Sequence, residues 1–367
     1  MIKQKSRSER YQGIIESYKL SINYSNLSES KHWLKKNEPK RAKFFNFLQE
    51  NIHSLENFRK DKFLSKGLDD AVDPRNIPNA FFNLAKVHGG DRSLKFFQQN
   101  NIGNSDRCIF LFEKYIDFHE IFLVDYVIKL EDYFFSQIKD PIICEIGGGY
   151  GALARMIIDN HKCKYILIDL PETNVLSSYY LGEHFYGNKR ILHFSELNKP
   201  VLASEDIKDF DIIIIPPNIN FYSDLKVDLF INTRSFMEMN LSTVESYFNL
   251  IQSSLNIGGN FLNINRYHKS TTNEDNMIAR YPYDDCWDAI ISEKAFMQDW
   301  IHLLLSKRTT APNKEFRKIL IDLEVESKKY VHSKTKKYFY NFIGLILRMI
   351  PAPLKSFLKK LATTKIP

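Results

Sequence analysis

The sequence predicts an α/β fold in which a parallel sheet is covered by helices on both faces. Three observations carry that expectation. Pro141 to Pro171 reads PIICEIGGGYGALARMIIDNHKCKYILIDLP, which is the order strand, glycine turn, helix, strand, acid. Asp211 to Ile215 is almost pure isoleucine and stops at Pro216 and Pro217. Two further apolar runs, Asp228 to Asn232 and Phe261 to Asn265, flank a segment with apolar residues at helical spacing. Continuous apolar strands alternating with helices mark a sheet buried on both faces.

Taken in order, residues 1–140 read as mostly helical, with no strand–turn–strand signal. Ile116 to Phe135 carries apolar residues at helical spacing and is expected to pack on the body. Asp69 to Pro78 and Asn100 to Asp106 read as loops. This region is taken as a lid or substrate-side domain, or alternatively as a dimerisation module. Residues 141–325 form the core. Its first helix starts at Gly151, and Tyr165 to Asp169 is its second strand. Pro171 suits the first position of the next helix, with Glu172 in its first turn. Further on, Ser242 and Glu245 read as a capping box, and Gly258 and Gly259 as the end of that helix. Tyr281, Tyr283, Trp287 and Trp300 read mainly as core, with some free to line a small-molecule pocket. Residues 326–367 form a basic tail.

The chain has 367 residues, of which 44% are hydrophobic, enough for one large or two modest globular domains. MIKQKSRSER is polar and basic, so the N-terminus does not read as a signal peptide. Cys108, Cys144, Cys163 and Cys286 show no zinc or paired spacing, and a reduced, cytoplasmic setting fits them. The net charge is +7, yet no acid follows Glu326, while ten Lys and Arg do, which leaves the body at about −3. In the tail, Leu354, Phe357, Leu358 and Leu361 share one face and Lys355, Lys359 and Lys360 another. That pattern suits an interfacial helix on an anionic membrane, through residues 336–367, or a helix packed on the body or a second subunit. No RNA- or DNA-binding motif accompanies the charge, so nucleic acid is not expected as a partner.

Two cofactors fit the glycine turn. Gly147, Gly149 and Ala152 match the dinucleotide pattern G-x-G-x-x-G/A. With Glu145 and Gly151 the same residues match E-x-G-x-G-x-G, a pattern of S-adenosylmethionine methyltransferases. An acid in an otherwise apolar strand favours the second, because a carboxylate there can hold an ammonium group. Ligands of such sheets sit beyond the carboxyl ends of the strands. Gly147, Gly149 and Gly151 are therefore expected along the methionine and ribose, and Asp169 with Leu170 at the ribose hydroxyls. Asp169 also reads as a helix cap. Pro217 and Asn218 are expected beside adenine, and Asn232 and Thr233 near the methyl end.

EIGGGYG at Glu145–Gly151, IDLPET at Ile168–Thr173, INTRSFMEM at Ile231–Met239 and NINR at Asn263–Arg266 together resemble a bacterial family of sugar O-methyltransferases. The resemblance covers about half the chain. It implies a Rossmann-like class I methyltransferase sheet, S-adenosylmethionine as cofactor, and a sugar or glycan acceptor (nucleotide-linked, lipid-linked or polymeric) in polysaccharide or glycolipid assembly. A sugar hydroxyl must lose its proton as it attacks, and the candidates for that work are Glu238 and His268. Arg266 can bind an acidic part of the acceptor. The plainer readings are a Glu238–Arg234 salt bridge, an idle His268, and an Arg266 paired with a carboxylate. No pattern predicts a metal site. Two other functions stay open: a dinucleotide-dependent oxidoreductase, which lacks a Tyr-x-x-x-Lys pair after the fourth strand, and a non-catalytic glycan-assembly protein. The oligomeric state is open, a homo-oligomer included.

Overall fold

The computed structural model describes residues 6–25, 31–61, 64, 73–270 and 274–349. The amphipathic segment Leu354 to Leu361 and the end of the basic tail lie outside them.

The core is an eight-stranded sheet. In chain order its strands are β1 (Ile142–Ile146), β2 (Lys164–Ile168), β3 (Ile191–His193), β4 (Ile212–Ile215), β5 (Val227–Thr233), β6 (Leu255–Arg266), β7 (Trp287–Ala295) and β8 (Gln298–Arg308). The spatial order is β7-β8-β6-β5-β1-β2-β4-β3. β1 to β6 run parallel, β8 lies antiparallel to β6, and β7 antiparallel to β8. The helices that matter for the site are α1 (Arg7–Ser25), α2 (Phe118–Leu130), α3 (Ala152–Asn160), α4 (Pro171–His184) and α5 (Leu241–Ser254).

The isoleucine strand shows why the sheet is buried on both faces. Side chains alternate along a strand, so Ile212 and Ile214 enter the core on one face of the sheet, and Ile213 and Ile215 the core on the other. Each is almost fully buried, a gain of about 1.5–3 kcal/mol per side chain. The first core also takes in the N-terminal helices through Tyr11, Ile14, Tyr18 and Phe58. Polar contacts reinforce that union: Arg41 Nε donates to Glu172 Oε1 at 2.8 Å, and Ser17 Oγ to Ser195 Oγ at 2.7 Å.

A buried charge network ties the region before residue 140 to the helix that follows the glycine turn. Arg59 donates to Asp117 at 2.7 Å and lies 3.9 Å from Glu120. Arg155 of α3 reaches Glu120 at 3.2 Å and the Phe96 carbonyl at 2.6 Å. All four charged side chains are no more than 4% exposed.

Several sequence expectations are corrected. Cys108–Leu111 and Lys114–Asp117 form a β-hairpin in the region read as helical. Its turn residues Phe112 and Glu113 have φ of 53° and 61°; they occupy the positions usually held by Asn-Gly, so the usual turn signal is missing. α5 is capped by Asn240, whose side chain accepts from the Thr243 amide at 2.9 Å, rather than by a Ser242–Glu245 box. That helix ends at Ser254, and Gly258 (φ +83°) lies within a register shift of β6. Residues 287–308 are strands, with Trp287 buried and Trp300 about half exposed. The helix Lys314–Met349 runs through residue 326, where the core was expected to end.

Removing one partner of a buried charge pair typically costs about 3–5 kcal/mol. Arg155→Ala is expected to lower unfolding free energy by that order in urea titration. Arg155→Met combined with Glu120→Gln should lose less than the sum of the single changes.

Candidate active site

The strand order reverses between β1 and β5, and the crevice beyond the carboxyl ends of these strands is where doubly wound sheets bind ligands. A cavity of about 440 Å³ opens there, within the size range of small-molecule sites. Its floor is the glycine turn after β1. One wall is the start of α4, the second is the loop after β5, and the third is α2.

The glycine turn is held by backbone and carboxylate contacts. The Gly147 amide donates to the Ile168 carbonyl at 2.7 Å, which fixes the turn to the end of β2. Gly147 has φ +77°, and a Cβ there would stand 2.1 Å from Ser235 Oγ. A Cβ on Gly148 would meet Glu145 Oε2 and Leu167, both at 2.9 Å. Side chains are thus excluded at the two positions where the turn touches the β5 loop and the buried carboxyl group.

Of the residues singled out in the sequence, Glu145, Gly147, Gly149, Asp169, Leu170, Thr233 and Glu238 line the cavity together. Gly151 caps α3 just behind it, with φ +91°. Asp169 Oδ2 accepts from the Gly149 amide at 2.8 Å and Oδ1 from the Leu170 amide at 2.6 Å, and the Thr173 side chain adds a third bond. A carboxylate offers about four acceptor positions, so Asp169 steadies the turn and the start of α4 and keeps room for a ligand donor. Burial pushes it up to about 6 against the pull of those hydrogen bonds.

Glu145 is fully buried and accepts from the Tyr165 hydroxyl at 2.8 Å. Burial raises its carboxyl group from 4.5 to about 7; the Tyr165 bond opposes the rise and the Asp169 charge adds to it. The site therefore holds a carboxyl group poised to ionise when a cation arrives.

The remaining expected residues stand elsewhere. Asn232 is fully buried, and its amide is spent inside the protein. It donates to the Ile146 carbonyl at 2.9 Å and to Ser235 Oγ, and accepts from the Phe236 amide at 3.2 Å and from Asn265 Nδ2 at 2.8 Å. Asn265 in turn accepts from the Met237 amide at 3.0 Å and donates to Asn263 at 2.7 Å. This ladder of amides fastens the loop after β5 to both neighbouring strands. Pro217 and exposed Asn218 follow β4 but do not line the cavity. His268 is buried off the cavity with Nε2 2.9 Å from Asp275, and Arg266 also lies off the wall. Glu238 pairs with Lys269.

Sequence reading missed the contribution of α2. His119, Phe122, Leu123 and Tyr126 form a wall of the cavity, and among its described lining residues His119 is the one histidine. Arg234 and Ser235 were also overlooked as wall residues. Arg234 adopts φ +63° with its amide bonded to the Ile264 carbonyl at 2.7 Å. A left-handed backbone at a bulky residue is strain of the kind that collects at functional sites. Among the described residues no group of three His, Cys, Asp or Glu could hold a metal ion.

Fold and cavity together define a doubly wound α/β protein with a cavity at the carboxyl ends of its parallel strands. Solved structures that overlap part of the chain include a methyltransferase from Pyrococcus furiosus, at TM-score 0.36 and 10% identity over 64% of this chain and 98% of its own. The pyocyanin biosynthetic protein PhzM overlaps at TM-score 0.35 and 9% identity, over 72% of each chain. An RNA methyltransferase from Salinibacter ruber, solved with S-adenosyl-L-homocysteine, overlaps at TM-score 0.30 and 9% identity over 52% of this chain and 92% of its own. Overlaps this small leave the reading of the site to its own residues. No protein-family model and no curated protein matches the chain.

Two predictions follow from the geometry. Gly147→Ala should destabilise the fold by about 1–2 kcal/mol for the left-handed backbone alone, and more for the Ser235 clash. Thermal unfolding should show partial recovery when Ser235→Gly is added. The second concerns pH. The folded protein keeps a proton on Glu145 that the unfolded chain releases near 4.5. The associated stability is full below that value and is withdrawn as pH rises through about 7. At about 1.4 kcal/mol per unit the Glu145 share of the swing is about 3 kcal/mol, and Glu145→Gln should remove that share in urea titrations from pH 5 to 8 while the share of Asp169, which burial also raises, stays.

Proposed function

We propose that the chain is an S-adenosylmethionine-dependent O-methyltransferase that acts on a sugar hydroxyl. One observation carries the reading: a buried, near-neutral carboxyl group and a hydrogen-bonded carboxylate face the same cavity, with a side-chain-free glycine turn between them. The cofactor has matching parts, an amino-acid ammonium group and a ribose joined through a cationic sulfonium. A dinucleotide would bring a pyrophosphate to the turn, and Glu145 in its floor would oppose it.

Glu145 holds the ammonium, the turn from Gly147 to Gly151 lies along the body of the cofactor, and Asp169 accepts from the ribose hydroxyls. Bound S-adenosylmethionine supplies an electrophilic methyl group on a sulfonium. The chain itself must align the acceptor oxygen and receive its proton. His119 on α2 is the group for the proton, since imidazole accepts one near neutral pH. Glu238, held by Lys269, orients acceptor hydroxyls at the rim, and Arg234 supplies a positive charge to an acidic part of the acceptor. The sugar class rests on the resemblance carried by INTRSFMEM and NINR, which fold here as one fastened unit. A cytoplasmic enzyme working on glycan precursors fits this reading, and the four cysteines are free thiols.

Calorimetric titration with S-adenosylhomocysteine tests the cofactor, with NADH as control. Micromolar binding of the first alone is expected, and binding of NADH instead overturns the reading. Asp169→Ala should weaken S-adenosylhomocysteine binding at least tenfold. His119→Ala should keep that affinity and lower methyl transfer to a nucleotide sugar or glycolipid acceptor by about 10²–10⁴; unchanged turnover removes His119 from the proton path.

A further inference from the structure

A second cavity, larger at about 570 Å³, lies between α1, the latter half of α4 and the edge strand β3. It is separate from the first. The start of α4 at Leu170 to Thr173 lines the carboxyl-end cavity, and its last turn at Gly182 and Glu183 lines this one. At 1.5 Å per residue, the helix puts about 8 Å between Thr173 and Ser178, the nearest lining residues of the two cavities, and about 14 Å between Thr173 and Gly182.

The wall combines aromatic faces with the cations Arg10, Lys189 and Arg190 and the acids Glu183 and Glu196. Arg10 lies 4.0 Å from the Tyr186 ring centre and donates Nη2 to Glu183 at 2.8 Å, while its Nη1 is buried with no hydrogen-bond partner. Arg190 lies 4.9 Å from the Phe210 ring centre, and its distance to Asp209 is a long 4.0 Å. Lys189 is 3.8 Å from Asp211. These pairs are too loose to satisfy the cations, and contacts of this length at partly exposed sites are weak. Tyr11 and Tyr179 are buried in the wall with ring centres 6.1 Å apart and their planes tilted by 46°.

The chemistry narrows the ligand. A bare phosphate would use Lys189 and Arg190 and leave the aromatic rings idle. A neutral sugar would leave the cations idle. A nucleobase stacks on aromatic and guanidinium planes for about 1–3 kcal/mol per base, and phosphates suit the loosely paired cations. We infer that this cavity is a second binding site that takes a nucleoside diphosphate, its base against the Tyr11, Tyr179 and Tyr186 rings and its phosphates at Lys189 and Arg190. Arg10 Nη1 offers the base or ribose a buried donor.

The test is calorimetry of the full chain with UDP and ADP, with uridine and inorganic pyrophosphate as controls. Expected is micromolar to sub-millimolar nucleotide binding that falls at least tenfold in Lys189→Glu/Arg190→Glu and several-fold in Tyr186→Ala, with thermal unfolding unchanged. Asp169→Ala should leave it intact. Binding that is lost in Asp169→Ala but kept in the charge-reversed variant places the nucleotide in the carboxyl-end cavity and overturns the proposal. Pyrophosphate binding as tightly as UDP, or no nucleotide binding at millimolar concentration, also overturns it. None of these outcomes depends on S-adenosylhomocysteine binding.

Discussion

The buried quartet Arg59, Asp117, Glu120 and Arg155 is the constraint from which the architecture follows. Two cations and two carboxylates taken out of water are tolerable only when each meets an opposite charge and its spare donors find acceptors. Arg155 meets the first through Glu120 and Asp159 and part of the second through the Phe96 carbonyl, while its Nε is buried with no hydrogen-bond partner. Because Arg155 belongs to the helix that begins at the glycine turn, and Asp117 and Glu120 to the cap and first turn of α2, their union sets where α2 stands relative to the turn. Arg59 also lies 5.0 Å from the ring of Tyr150, a residue of the turn itself. The residues before 140 are thus part of the cavity's construction, since the α2 wall could not be placed without them.

The other half of the site rests on amides in place of charges. Asn232, Asn263 and Asn265 sit on adjacent parallel strands whose other buried residues are mostly apolar. A buried amide needs its partners, and these three use one another, the loop backbone, the Ile146 carbonyl and the hydroxyls of Ser235 and Tyr283. The two devices have different consequences. The charge network orients a helix as a rigid body, whereas the asparagine ladder holds individual loop amides and so fixes the conformation from Thr233 to Met237.

Much of this was readable in the sequence, and the physical reason is the same in each case. Ile212 to Ile215 and the β1 and β2 runs announce themselves because a strand buried on both faces must be apolar throughout. The turn announces itself because few residues other than glycine fit beside Ser235 and Glu145. Asp169 could be placed because its strand and the helix-starting Pro171 bracket it. What stayed hidden depends on contacts between distant parts of the chain. His119 and Tyr126 look like members of any amphipathic helix until α2 is docked. Asn232 follows a strand in the way a ligand residue does, and only its neighbours reveal that its amide is consumed. The Asn-x-Asn spacing in NINR was a usable clue, since alternate residues share a face and two asparagines on a core face imply a third partner. The strands of residues 287–308 were obscured by partial exposure, which replaces a clean apolar run with mixed residues.

The missing side chain at Gly147 has one more consequence. It lets Ser235 settle against the turn, so the segment expected to meet the acceptor is bonded to the carbonyl of Ile146, the residue that leads into the turn. Loops that present substrates are usually the softest parts of an enzyme. In the proposed methyl transfer the cofactor turn and the acceptor-side loop would be carried by one bonded frame, so much of the orientational entropy of bringing the two reactants together would be met when the chain folds.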